Sequence, residues 1–191
     1  MARIKDQHKL EQINKAACVL VLKTGFAGLK MADVAKEAGV AAGTLYVYYP
    51  TKEALINSLF KEVKSEIVQV LINPKHHSPS FYNTFQKMWL SYFNFCMKFP
   101  EKMLFVEHFF HSGLLSKQTI DFAHSIMEPV FEFIKQAQNN ELIKKGDVLI
   151  IQSQISGPIH ETIKLILANK IKPTKTNIHL CFEMSWQAIR K

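Results

Sequence analysis

Apolar residues recur at helical spacing along almost the whole chain, and no stretch alternates in the way a half-buried strand requires. The first segment, about Gln7 to Thr24, gathers Ile13, Ala16, Ala17, Leu20 and Val21 on one broad face, and Gly25 stops it. After a loop holding Phe26 and Gly28, Met31 to Glu37 predicts a short helix that turns Met31, Val34 and Ala35 inward. A third helix begins at Ala41 or Ala42 and ends before Pro50, which has no backbone donor to continue it. Thr51 is placed to cap a fourth, Thr51 to about Ile72, with Leu55, Leu59, Val63, Ile67 and Val70 along one side. The segment Asn73 to Ser80 mixes prolines with polar residues and reads as a loop. Beyond it, helices are expected near 80–98, 101–113, 117–139, 147–168 and 175–189. Pro129 and the pair Gly157-Pro158 fall inside two of these and predict kinks or breaks.

The pattern therefore predicts an all-α protein of about nine helices. Residues 1–50 form a three-helix unit, and residues 51–191 form a larger helical domain. The helix 51–72 is longer than a unit of that size needs for its own closure, so it is expected to connect the two.

Charge adds a weak pointer toward a polyanionic partner. The formal net charge is +8, but the excess is spread: ten Lys/Arg face seven Asp/Glu in residues 1–66, and fourteen face nine in the rest. Cys18, Cys96 and Cys181 are far apart and each lies in an apolar helical pattern, the pattern of buried thiols in a reducing compartment. No stretch reaches membrane-spanning length without polar interruption and no signal segment opens the chain, so cytoplasmic residence and no membrane partner are expected. No nucleophile turn, phosphate-binding glycine loop or metal signature is present, which argues against an enzyme, a cofactor or a metal. His108 and His111 share a helix face with Glu107 near its edge, but a metal would need a third close ligand.

The densest chemistry lies in AGVAAGTLYVYYPTKEAL, Ala38 to Leu55. Gly39 supplies a tight corner between two short helices, the arrangement of a helix-turn-helix. A helix that enters a major groove needs a slim leading turn, and Ala42 and Gly43 provide one. Thr44 adds a hydroxyl and a methyl, and Val47, one turn on, suits thymine methyl groups. Without Arg, Asn or Gln on this surface, part of any specificity falls to backbone position, water or DNA deformability. Leu45 is the inward anchor, with Tyr46 and Tyr49 as aromatic packing. Tyr48 can donate to a phosphate, and Lys52 can reinforce a phosphate clamp at the start of the fourth helix. Arg3, Lys5 and Lys9 are further candidates for phosphate contact.

The run GFAGLKMADVAKEAGVAAGTLYVYYPTKEAL, Gly25 to Leu55, resembles the N-terminal helix-turn-helix signature of the TetR family of transcriptional regulators. By this similarity Thr44, Tyr48 and Lys52 fall at positions that commonly touch double-stranded DNA, and Val34, Ala35, Gly39, Leu45 and Tyr46 at positions of the structural frame. Two residues depart from the pattern: Lys30 and Ala41 stand where the family usually has Ser or Thr. Lys30 can replace a phosphate contact by charge, whereas Ala41 can replace neither the cap nor the contact.

From Phe81 to Phe133 the chain is rich in aromatic residues that point in several directions around their helices. Ordinary core packing accounts for this as well as an effector pocket does. The resemblance favours a pocket for a small apolar or aromatic effector, with Phe85, Trp89, Tyr92, Phe93, Phe105, His108, Phe109 and Phe122 as candidate contacts. It also favours a homodimer through the helices near 147–168 and 175–189, whose apolar coverage exceeds that of an outer wall. The implied function is a ligand-responsive repressor of a palindromic operator; the alternative is a helical protein-binding adaptor with a non-specific DNA-binding unit.

Overall fold

The computed structural model describes residues 7–191. Nine α-helices are formed among them: α1 (Gln7–Gly28), α2 (Met31–Glu37), α3 (Ala42–Tyr48), α4 (Lys52–Leu71), α5 (Phe81–Lys98), α6 (Pro100–Phe110), α7 (Lys117–Asn139), α8 (Val148–Leu167) and α9 (Lys175–Ile189). Their ends follow local chemistry. Thr51 Oγ1 accepts the Ala54 amide at 3.1 Å, Asp147 the Leu149 amide at 2.7 Å, and Thr174 the Asn177 amide at 3.2 Å. Gly25 has φ 69 and ψ 171, so it breaks α1 from within and the last three residues form a separate turn. The loop after α4 holds a single 3-10 turn, Pro74–His76, capped by the Asn73 side chain.

Of the kinks or breaks expected at the internal prolines the breaks are absent, and one helix ends earlier than expected. α7 runs through Pro129 and α8 through Gly157 and Pro158 without a break. Each proline removes only one hydrogen bond from the ladder, and buried residues before and after it keep the helix seated: Met127, Val130 and Ile134 on α7, Ile151, Ile159 and Ile163 on α8. In addition, α6 ends at Phe110 rather than near 113, where Ser112 bonds back to the Phe109 carbonyl and Gly113 takes φ 71.

The described chain forms two compact units. The first holds α1 to α3, α4 as far as Lys64, and residues 101–123; the second holds residues 65–100 and 124–191. In the first, Ile13, Ala17 and Val21 of α1 are buried with Val34, Leu45, Leu55, Ile56, Leu59 and Phe60. Phe105 and Phe109 of α6 join them, with ring centroids 4.8 Å apart and Phe60 6.4 Å from Phe105. Burying each such side chain is worth about 1.5–3 kcal/mol. In the second unit, α5 packs on α9 through Phe85, Trp89, Phe182 and Trp186 and meets α8 through Tyr92 and His160, and the Tyr82 hydroxyl donates to Glu183 at 3.1 Å.

Candidate nucleic-acid interface

The corner between α2 and α3 is closed by backbone alone. The Gly39 amide reaches the Lys36 carbonyl at 3.1 Å and the Val40 amide reaches that of Ala35 at 2.9 Å, which requires Gly39 at φ 65. A side chain there would meet no clashing atom, but an L-residue would pay roughly 1–2 kcal/mol for the left-handed backbone.

Residues four apart hold α3 in place from below. Leu45 is fully buried and Tyr49 is 4% exposed. The Tyr49 hydroxyl donates to Asn14 Oδ1 at 3.2 Å, and the Asn14 amide donates in turn to the Glu62 carboxylate. Burial pushes the Tyr49 phenol above its ordinary range, so it stays a proton donor. The chain Tyr49–Asn14–Glu62 thus ties the residue after α3 to α1 and α4.

The opposite side of α3 is left to solvent. Ala42 and Gly43 are exposed, Thr44 and Tyr48 are half-buried, and Val47 is 74% exposed. Tyr46 corrects the frame drawn from sequence: it is 52% exposed, because one residue beyond Leu45 is a rotation of about 100° away from the core. It joins Val47 on the free surface, a placement the spacing of Leu45 and Tyr49 already implied. Neither Lys30 before α2 nor Ala41 before α3 makes a side-chain cap. The amides of Thr44 and Leu45 both turn to the Ala41 carbonyl, and those of Ala42 and Gly43 precede the first helical bond.

Lys52 has a second partner that the sequence did not announce. It is half-buried, donates to the Phe26 carbonyl at 2.8 Å, and holds its ammonium 4.4 Å from the centre of the Phe26 ring. An ammonium has three donors, so this leaves two for another acceptor. Lys30 is exposed, and Lys9 is half-buried on α1; Arg3 and Lys5 lie outside the described residues.

Residues 13–59 match the family of bacterial regulatory proteins of the tetR type, and that span holds α2, α3 and the junction just described. The matched N-terminal segment is of the TetR family. An uncharacterized HTH-type transcriptional regulator of Haemophilus influenzae is 32% identical over 90 residues, 47% of this chain. The match spans about half of that relative's length (48%). A TetR family transcription regulator from Marinobacter aquaeolei shares the fold over 98% of both chains, with a TM-score of 0.90 at 23% identity. The transcriptional regulator FadR from Bacillus subtilis, solved in complex with stearoyl-CoA, shares it over 92% of this chain and 95% of its own (TM-score 0.67, 19% identity).

Beyond the matched segment the eight aromatic-segment candidates fall into two groups. Phe85, Trp89, Tyr92 and Phe93 lie buried on α5 in the second unit. Phe105 and Phe109 are buried, Phe122 half-buried and His108 exposed in the first. Trp89 stacks on Phe93 at 5.3 Å, and its buried indole N–H has no acceptor among the described residues. Tyr92 shares a 2.7 Å hydrogen bond with His160 Nε2, and burial pushes the nearby Cys96 thiol up to about 12. Among the described residues no group of three His, Cys, Asp or Glu is placed to hold a metal, and no helix is long and apolar enough to cross a membrane.

Proposed function

We propose that this protein is a cytoplasmic, homodimeric DNA-binding regulator, a repressor released from a palindromic operator by a small apolar or aromatic effector. The observation that carries the DNA-binding reading is the free face of α3: Val47 is 74% exposed on a helix whose other face is fixed by Leu45 and by the Tyr49–Asn14–Glu62 chain. A rigid helix that presents Ala42, Gly43, Thr44 and Val47 outward has little use for them in its own fold. Slim residues at its leading turn let the backbone come near base edges, while Val47 and the Thr44 methyl suit thymine methyl groups. Lys30, Tyr48 and Lys52 serve phosphates, which fix register without reading sequence.

Pairing is supported by α8 and α9. Leu149, Ile150 and Leu165 on α8, and Leu180 and Met184 on α9, are between 47% and 63% exposed. So much exposed apolar surface on two packed helices suits a self-complementary interface. Two copies would present two α3 helices to the half-sites of a palindrome.

Effector binding is assigned to the second unit, on the stretch of α5 that holds Phe85, Trp89, Tyr92 and Phe93; Phe105, His108, Phe109 and Phe122, in the first unit, are a separate candidate set, and α4 is the connector. The orphan indole N–H of Trp89, whose ring stacks on Phe93, supports it, as does the stearoyl-CoA bound by the Bacillus subtilis FadR. Control then requires the effector to bind one of two arrangements more tightly. Selection of bound fragments from a genomic pool, followed by fluorescence anisotropy at fixed salt, tests the reading. It expects a palindromic site bound far more tightly than random duplex; equal affinity for all duplexes points instead to the adaptor.

A further inference from the structure

The second unit contains a cavity of about 500 Å³ that shares no residue with the eight effector candidates. Its walls are the end of α4, the 3-10 turn with its flanking loop, the start of α5 and the last turns of α7. The volume suits a small organic molecule. Leu71, Phe81, Met88 and Phe133 supply an apolar surface, and the rings of Phe81 and Phe133 stack 5.0 Å apart at 21°.

The Asp, Glu, Lys and Arg content of the lining is one-sided. Glu132 carries the one carboxylate among its seventeen described residues, and neither Lys nor Arg is among them. At the chain's frequency of 24 Lys and Arg in 191 residues, about two would be expected there. Lys135 does not cancel this bias. It bridges Glu132 at 2.6 Å and Glu128 at 3.1 Å, so two carboxylates share one ammonium and the trio keeps a net negative charge. All three are solvent-exposed, where such a pair contributes little and yields readily to a better one.

The remaining polar groups can accept as well. His76 is 9% exposed and its Nε2 meets the Val70 carbonyl at 2.8 Å. A carbonyl only accepts, so Nε2 carries the hydrogen and Nδ1 keeps its lone pair in the neutral ring. Gln136 and Asn140 lie one and two turns beyond Glu132 along α7 in the same lining, and each carries an amide whose oxygen can accept. Thr84, by contrast, is already spent on both the amide and the carbonyl of Ser78.

We infer that this cavity is a binding site for a small organic cation, a protonated amine on an aromatic or apolar body. The body lies against Phe81 and Phe133, and the ammonium takes Glu132 with the His76, Gln136 or Asn140 acceptors. Aromatic faces favour the cation over an anion of the same shape. The site goes beyond the proposed regulator, and its test needs neither DNA nor the effector.

Calorimetric titration of the full chain with 2-phenylethylammonium, 3-phenylpropionate and 2-phenylethanol decides it. Saturable binding of the ammonium is expected, at least tenfold tighter than that of the carboxylate or the alcohol. Glu132→Gln should weaken the ammonium about tenfold, and Glu132→Lys should reverse the preference toward the carboxylate. Glu132 is exposed, so neither variant threatens folding. No saturable binding of the ammonium, equal binding of all three probes, or an ammonium affinity unchanged in Glu132→Gln each overturns the inference.

Discussion

The Lys52 ammonium donates to the Phe26 carbonyl at 2.8 Å and lies 4.4 Å from that residue's ring, so one side chain joins the start of α4 to the turn that ends α1. Because two donors remain, fold and phosphate contact compete for the same group only in part. Lys52→Met should therefore weaken binding to operator and random duplex by a similar factor and flatten the salt dependence by about one counterion. It should also cost about 1 kcal/mol in urea unfolding. Unchanged salt dependence would confine Lys52 to the fold.

Val47 and Thr44 should behave differently. Val47→Ser removes apolar surface that is already 74% exposed, so thermal stability should change by less than about 0.5 kcal/mol. Discrimination against a mismatched operator should fall by about 1–3 kcal/mol, read by anisotropy across a panel of single-base variants. Thr44→Ala is expected to shift preference at a neighbouring base pair. A uniform loss across the panel would instead make both residues positioning contacts.

Tyr49→Phe deletes one hydroxyl and strands the Asn14 carbonyl oxygen in a buried site. The expected loss is about 1–2 kcal/mol in chemical denaturation. With α3 less firmly seated, operator affinity should drop while the affinity for random duplex holds. Full stability in the variant would show that the chain from Tyr49 to Glu62 does not contribute.

Lys64 gives a pH dependence of definite sign. It is half-buried, its ammonium is 6.0 Å from the centre of the Phe110 ring, and burial pulls it down from 10.5 to about 8. Below pH 8 the cost of keeping the charge there is fully present. Between about 8 and 10.5 the unfolded chain holds a proton that the native one has released, so this group makes stability rise with pH. Cys96, pushed up to about 12, acts in the opposite direction, so the difference from Lys64→Met is the quantity to measure. Lys64→Met should be more stable by on the order of 1 kcal/mol at pH 7 after allowance for partial hydration, with the gain shrinking toward pH 10. A gain that does not change with pH would assign the effect to packing.

Leu180→Glu with Met184→Lys should yield a monomer by sedimentation while helix content by circular dichroism stays the same, since both side chains are more than half exposed. Operator affinity should fall steeply, because one α3 then meets one half-site. A dimer that survives both changes would place the interface elsewhere.

Much of the fold was legible because its signals are local. Gly39 and Gly25 take the positive φ that only a residue without Cβ adopts cheaply, and Thr51 caps α4 as its place after Pro50 implied. The bounds of α2, α7 and α9 matched the apolar period. The continuous path of α7 and α8 through Pro129 and Pro158 was not legible, because a missing ladder bond is a local cost that packing elsewhere outweighs. The candidate interface divides in the same way: the free side of α3 follows from the spacing of Leu45 and Tyr49, whereas the partners of Lys52 and Tyr49 lie 26 and 35 residues away.

By itself the sequence determined that the chain is helical, most helix bounds, the α2–α3 corner and most of the residues that α3 turns outward, since periodicity, capping and backbone permissiveness act within a few residues. Only the tertiary structure decided which donors are already spent, which aromatic rings are buried in which unit, and that Glu132, His76, Gln136 and Asn140 line one cavity. Those facts depend on contacts between segments far apart in the chain, and no local propensity encodes which acceptor a buried or half-buried donor will meet.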